Sequence, residues 1–204
     1  MTGFIAKVNL KEKFYRRNWL ATGFANKYFD LIIGDEIICN IPKALHHNLF
    51  QEISRILKTG HYFITRHNMS TPDKSTPQQV ILSIVKKIER GEISFQTAIN
   101  YLYITLFYNK VQCAPENKVN MGEELEDIKV AYRQTKNLKY KRILKELVGC
   151  FKKNWSYAFN YYWYVLSKTN SEKELRKIFV IKKAAYAHDY LTSKYSPIYL
   201  LRKK

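Results

Sequence analysis

The sequence predicts one α/β domain whose mostly parallel sheet is assembled from two separated parts of the chain. A strand–helix–strand pattern occupies residues 29–67, predominantly helical segments follow, and an α/β pattern returns at residues 171–204. A chain of 204 residues, 46% of them hydrophobic, is long enough for one core. We therefore expect three parts: residues 1–70, a helical insertion or cap at 71–170, and residues 171–204 completing the sheet.

The first predicted strand is FDLIIGD, residues 29–35. Its unbroken apolar run is typical of a parallel strand with helices over both faces of the sheet. A shorter strand candidate, KFYRRNWL, precedes it at residues 13–20.

An amphipathic helix is predicted after Pro42, because apolar residues recur there at helical spacing. They are Leu45, Leu49, Ile53 and Ile56, with Phe50 and Leu57 alongside. The basic turn before Gly60 favours a helix C-cap. HYFITRH, residues 61–67, then predicts a second strand, and a right-handed crossover would make the two strands parallel. His46 and His47 are expected on the solvent side of the helix.

The middle of the chain reads as helices. One is predicted from Pro77 to Arg90, where Gly91 stops it, and another opens near Ser94, a plausible N-cap. ELEDIKVAYRQ predicts a further helix, followed by a long tyrosine-rich helix at residues 140–168. That helix would carry four aromatic residues that favour core packing over a substrate cage: Tyr157, Tyr161, Trp163 and Tyr164.

The last part begins with capping-box spacing between Ser171 and Glu174, which predicts a short helix. Two strands follow, FVIKKAAYA and SPIYLLRKK, and a loop of roughly ten residues between them predicts an antiparallel pair. Because both ends of the chain show the same alternation of strands and helices, we expect their strands to share one sheet.

The chain carries a formal net charge of +18, spread along its length. Residues 1–70 hold 10 basic and 5 acidic groups, 71–154 hold 15 and 9, and 155–204 hold 10 and 3. An anionic partner such as RNA and a solvated basic surface both remain open. The three cysteines are scattered and suggest no metal site, and a signal peptide pattern and a long apolar run are lacking, so we expect a cytoplasmic protein without a membrane span.

The order of elements resembles class I S-adenosylmethionine-dependent methyltransferases. FDLIIGDEIICNIPKALHHNLFQEISRILKTGHYFITRHN is similar to the family's fourth strand, following helix and fifth strand, and the closing strands are similar to its terminal antiparallel pair. The resemblance covers residues 14–70 and 171–204. It implies a Rossmann-like fold that binds S-adenosylmethionine and transfers its methyl group to an acceptor that the sequence does not identify.

The resemblance also implies site residues. Asn18 and Trp19 fall where the family meets the adenine, with an amide in place of the usual carboxylate. Gly34, Asp35 and Glu36 fall at the carboxyl end of the fourth strand, where open α/β sheets bind ligands. Asp35 or Glu36 would attract the sulfonium or the amino group, or act as a base for a nucleophile. The alternatives are that Gly34 only permits a turn and that Asp35 caps the helix that follows. His67, near the end of the second predicted strand, could face a substrate.

The sequence has no match to the family's glycine-rich first strand, and we therefore expect a methyltransferase-like fold that is incomplete at the N-terminus. TGFIAKVN, residues 2–9, stands in the place of the second strand, with Ala6 and Lys7 where an acid is expected. Either GFIAKVN takes the empty central slot, a partner chain supplies it, or the sequence is truncated at an internal start. The alternative to an enzyme is an inactive, basic binding module for RNA or another anion, suggested by six basic residues at 132–145.

Overall fold

The computed structural model describes residues 11–70, 75–110, 118–188 and 193–204. TGFIAKVN, including Ala6 and Lys7, lies outside the described residues, as does Cys113. The strands and helices of the described parts are, in chain order, β1 Phe29–Asp35, α1 His46–Ile56, β2 Leu57–Arg66, α2 Pro77–Glu89, α3 Phe95–Lys110, β3 Lys118–Val119, α4 Met121–Gln134, α5 Leu138–Trp155, β4 Trp163–Tyr164, α6 Lys168–Ile178, β5 Phe179–Ala185 and β6 Ile198–Lys203.

Both ends of the chain contribute to one four-stranded sheet, in the order β1-β2-β6-β5. β1 pairs in parallel with β2, whereas β6 is antiparallel to both β2 and β5. Three of the four strands therefore run in the same direction. This arrangement confirms the predicted α/β class, the shared sheet and the terminal antiparallel pair.

The junction between α1 and β2 differs from the prediction. The helix ends at Ile56, and Leu57 already has extended backbone and lies fully buried in the core. Gly60 is therefore not a helix cap. It lies inside β2 with a φ of 79°, where the pairing register with β1 shifts. Glycine adopts this left-handed conformation without steric cost, so it accommodates the bulge.

One face of the sheet is covered by α1 and α6. Its core contains the aromatic residues Phe63, Phe179 and Tyr199 together with Leu201. Phe63 and Phe179 lie with their ring centroids 5.9 Å apart, and Phe50 of α1 meets Phe179 edge-on. Burial of such side chains is the main source of stability for this layer.

The opposite face is open among the described residues, which contradicts the expectation of helices on both faces. Leu31 and Ile33 on β1 are 47% and 70% exposed, and their register partners are Tyr62 and Ile64. In the described residues β1 pairs only with β2, so its outer edge is unpaired as well. Exposed apolar strand edges are sites of association.

The helices α2–α5 form a second core, distinct from that of the sheet. The predicted helix starts are confirmed at two caps: Thr76 makes a capping box with Gln79, and Ser94 accepts a hydrogen bond from the Thr97 N–H. This core includes Leu102, Ile128 and Leu147. The boundaries at residues 71 and 170 stay a prediction.

Three predicted elements were wrong. The tyrosine-rich helix ends at Trp155, because the chain turns and Trp163–Tyr164 pairs as β4 with β3. The short helix α6 starts at Lys168 with Ser167 as its N-cap, so Ser171 is buried inside it. KFYRRNWL has no strand. It is exposed chain that ends in a tight turn at Asn18.

The open face generates a prediction about stability. Phe63→Ala should lower the free energy of unfolding by about 3–5 kcal/mol, because it leaves a cavity in the covered layer. Ile33→Thr keeps the β-branched shape and should cost less than about 1 kcal/mol, since the side chain is largely exposed. Urea denaturation followed by circular dichroism measures both. An equal cost for the two variants would mean that the open face is covered.

Candidate functional site

The carboxyl ends of β1 and β2 bring one arginine against two carboxylates. Arg66 Nε and Nη2 donate to Asp35 Oδ1 and Oδ2, both at 2.8 Å, and Arg66 Nε lies 3.4 Å from Glu36 Oε1. Arg66 and Glu36 are about one-third exposed and Asp35 is mostly exposed. Two parallel hydrogen bonds fix the guanidinium plane. We call these three residues the edge cluster.

Glu36 holds the turn that follows β1. Its backbone is left-handed, with a φ of 53°. Its N–H donates to the Arg66 carbonyl at 3.2 Å, and its own carbonyl accepts from the Asn40 amide at 2.9 Å and from the Cys39 thiol. A non-glycine residue in this conformation costs energy and persists only where its surroundings hold it, and such residues concentrate at functional sites.

Gly34 is packed against its neighbours. A Cβ at this position would lie 2.8 Å from Ile37 Cδ1 and 3.2 Å from Phe63, and the residue is buried. The close approach of Ile37 is therefore sufficient to explain the glycine. The space beside its α-carbon is filled by side chains of the protein, and the predicted ligand contact of Gly34 stays a prediction.

Asn18 and Trp19 lie at the opposite end of the sheet from the edge cluster. Asn18 Oδ1 accepts from the Leu20 N–H at 2.9 Å, and its carbonyl accepts from the Ala21 N–H, so its amide is used within its own turn. Trp19 is 45% exposed. The chain then continues to Thr22, which is bound to α1. The structure thus separates Asn18 and Trp19 from Gly34, Asp35 and Glu36.

The segment after this turn is held by a network that the sequence did not reveal. Glu52 on α1 accepts from the Thr22 N–H and hydroxyl and from two nitrogens of Arg55. The Arg55 guanidinium and the Thr22 hydrogen bonds lower the pKa of Glu52 to about 2. Arg55 also donates to the Phe24 carbonyl at 2.7 Å. The sequence of residues 22–26 does not predict these contacts with α1, because the contacting residues are about thirty positions apart in the chain.

A cleft of about 580 Å³ lies beside this network, at the amino ends of the parallel strands. Leu20 and Arg55 line it, together with Lys203, whose ammonium donates to the Leu57 carbonyl at 2.7 Å. The cleft is therefore remote from the edge cluster. Glu52, Arg55 and Lys203 in this cleft already form hydrogen bonds within the protein, so we assign the cleft a structural role.

Two buried histidines lie near the carboxyl end of the sheet. His67 follows β2 and is fully buried, and burial lowers its pKa to about 3, with a smaller effect from His46. His46 is also buried, against the prediction of a solvent-side residue, because its Nε2 lies 2.8 Å from the Ile41 carbonyl. His47 is exposed as predicted. His67 is therefore neutral and enclosed, and its proposed contact with a substrate stays a prediction.

The four aromatic residues for which core packing was predicted differ in their surroundings. Trp163 and Tyr164 pair with β3, and Trp163 packs on the helical core. Tyr157 and Tyr161 are exposed. Among the described residues no group of histidine, cysteine and acidic side chains has the arrangement of a metal site, and none of the described helices is long and apolar enough to span a membrane.

Solved structures similar to this chain include a methyltransferase. A protein from Pyrococcus horikoshii OT3 is 14% identical, over 92% of this chain and 57% of its own, with a TM-score of 0.46. A SAM-dependent methyltransferase from Methanosarcina mazei is 11% identical over 92% of this chain and 65% of its own, with a TM-score of 0.45. A protein from Rhodobacter sphaeroides that is proposed to be a zinc-dependent alcohol dehydrogenase is 10% identical over 88% of this chain and 60% of its own, with a TM-score of 0.42.

The chain spans 57–65% of the length of these three structures. No protein-family model and no curated protein matches it.

The buried histidines generate a pH prediction. Below about pH 6.5 the unfolded chain gains a proton on His67 that the folded chain resists until about pH 3, so the folded state loses stability as the pH falls through this window. From pH 7.5 to 5.5 the loss from His67 should be about 1.4 kcal/mol, and His46 adds to it in the same direction.

Urea denaturation at the two pH values measures this loss. His67→Gln should reduce the pH-dependent part, whatever its effect on absolute stability. His47→Gln, at an exposed position of the same type, should leave it unchanged. An undiminished pH dependence in His67→Gln would show that His67 is hydrated in the folded protein.

Proposed function

We propose that this chain is a methyltransferase-type domain that binds S-adenosylmethionine at the edge cluster and transfers its methyl group to an acceptor. The observation that carries the proposal is the arginine between two carboxylates at the carboxyl ends of adjacent parallel strands, the edge at which open α/β sheets bind ligands. The resemblance of residues 14–70 and 171–204 to class I methyltransferases supports the same assignment.

The edge cluster suits one end of the cofactor. The amino-acid end of S-adenosylmethionine carries a carboxylate and an ammonium group, and the cluster offers a guanidinium together with carboxylates. Arg66, whose Nε and Nη2 already pair with Asp35, would donate a further charge-assisted hydrogen bond to the carboxylate, while Asp35 and Glu36 would bind the ammonium group. Arg66 is oriented in advance by Asp35, so little ordering is left for binding.

The nucleoside end has no matching set of groups among the described residues. Gly34 is packed against Ile37, and Asn18 and Trp19 lie at the other end of the sheet. The fit is therefore partial: the chain holds the amino-acid end, and we expect the adenosine to be bound by a further strand. Among the described residues the outer edge of β1 is unpaired, and such a strand would pair there.

The remaining roles follow from this placement. S-adenosylmethionine, when bound, supplies a methyl group on a positive sulfonium for direct displacement. Asp35 and Glu36 would hold that positive charge at the edge, and a partly exposed carboxylate such as Glu36 could accept a proton from an acceptor. Helices α2–α5 follow β2 in the chain, and we propose that they shape the acceptor pocket.

The proposal is tested by binding of S-adenosylhomocysteine, measured by isothermal titration calorimetry. Arg66→Gln should weaken binding about tenfold or more, because a charge-assisted pair is lost. Lys58→Gln is the matched control, since Lys58 pairs with Asp30 at the amino end of the same two strands and its loss should change nothing.

Two results would reject the proposal. One is a folded wild-type protein that does not bind S-adenosylhomocysteine at millimolar concentration. The other is equal weakening by Lys58→Gln and Arg66→Gln, which would indicate a general effect on the sheet.

A further inference from the structure

The solvent-facing side of α5 carries four cations in a row. Arg142, Lys145, Lys152 and Lys153 are all exposed, and we call them the basic stripe. At 100° per residue they fall within an arc of about 100° on the helix surface, over roughly 17 Å of its length. The one acid of this helix, Glu146, lies to one side. No acidic side chain of the described residues pairs with any of the four.

A glycine lies at the centre of the basic stripe. Gly149 is exposed, and a Cβ there would meet nothing within 4 Å. Its φ is not in the left-handed region, so neither packing nor backbone conformation requires glycine. Glycine inside a helix costs about 1 kcal/mol relative to alanine. An open, flat position between cations is where the backbone of a bound anionic chain can approach closely.

The basic stripe leads to a group of exposed tyrosines. Tyr157, Tyr161 and Tyr162 follow within nine residues of Lys153 and are 67%, 64% and 44% exposed. Tyr157 is tilted against Trp155, with ring centroids 6.1 Å apart, and Tyr162 lies under the Lys118 ammonium. Exposed aromatic rings that follow a line of cations along the chain can stack with bases whose phosphates contact the cations.

A membrane surface fits this helix less well. An interfacial helix needs its apolar face for the lipid. The apolar face of α5 is already used, because Leu144, Leu147 and Phe151 are buried in the helical core. What remains exposed is cationic and aromatic.

We propose that the basic stripe and Tyr157, Tyr161 and Tyr162 form a binding face for single-stranded nucleic acid. The cations contact phosphates in sequence, and the tyrosines stack on unpaired bases. Duplexes keep their bases stacked internally, so they use only the cations. This face belongs to the helical part of the chain and its proposed activity does not depend on S-adenosylmethionine binding.

The test is fluorescence anisotropy with labelled oligonucleotides of about twelve residues, as RNA, as single-stranded DNA and as duplex. The wild type should prefer either single strand to the duplex, and the RNA and DNA arms identify which one it binds. With four phosphate contacts the slope of log affinity against log salt should be about −2.8.

Arg142→Gln/Lys145→Gln should reduce that slope to about −1.4. These two positions are chosen because Lys152 and Lys153 also favour the carboxyl end of α5 through its dipole. The matched control is Lys182→Gln/Lys183→Gln, which removes two adjacent exposed cations from β5 and should leave the affinity within about twofold. Tyr157→Ala/Tyr161→Ala should weaken single-strand binding about tenfold or more and spare the duplex.

Three outcomes would overturn the proposal. The first is an equal loss of affinity in the β5 control, which would mean a uniform electrostatic attraction. The second is the same affinity for single strands and duplexes. The third is binding to phosphatidylserine vesicles without binding to either nucleic acid. Circular dichroism of each variant confirms that it is folded. Titration of S-adenosylhomocysteine on the same samples keeps this outcome separate from that of the edge cluster.

Discussion

The sheet in the described part of the chain depends on the burial of one of its faces under two helices. Phe63, Tyr199 and Leu201 on adjacent strands pack under α1 and α6, and this layer holds together two parts of the chain that are more than a hundred residues apart. β6 pairs between β2 and β5, so the C-terminal residues are what complete the sheet. The parallel pair β1 and β2 gains its fixed register from this layer, and that register places Asp35 opposite Arg66.

The edge cluster is a consequence of that register and of the turn at Glu36. A parallel pair delivers both strand ends to the same side, so a carboxylate and a guanidinium meet without any loop to bring them together. The hydrogen bonds of the Glu36 carbonyl and N–H then hold a backbone conformation that is unfavourable for glutamate. A bidentate arginine–carboxylate pair is the geometry in which a surface ion pair can contribute to stability, so the edge cluster also helps to hold the two strand ends in register.

Periodicity in the sequence identified the strands and helices whose structure is decided by the pattern of their own residues. FDLIIGD, the helix after Pro42 and the two C-terminal strands were predicted correctly, because local pattern and burial agree there. Long-range contacts decided the remainder. The helical pattern after Trp155 gives way because Trp163 pairs with Val119, and Gly60 becomes a bulge because Leu57 is needed in the core. The sequence placed Asp35 and Glu36 at the edge but could not reveal Arg66, whose role depends on strand register.

The open face of the sheet links stability to function. Covering Ile33 and Leu31 completely would contribute roughly 1–2 kcal/mol each, since about half or more of each side chain is now in water. That is a sizeable part of the 5–15 kcal/mol that usually separates folded from unfolded domains. A layer packed on this face, delivered together with a strand that pairs at the edge of β1, would thus stabilise the register that forms the edge cluster. By reciprocity, a ligand that holds Asp35 and Arg66 together would favour pairing at β1, so cofactor binding and completion of the sheet are expected to strengthen one another.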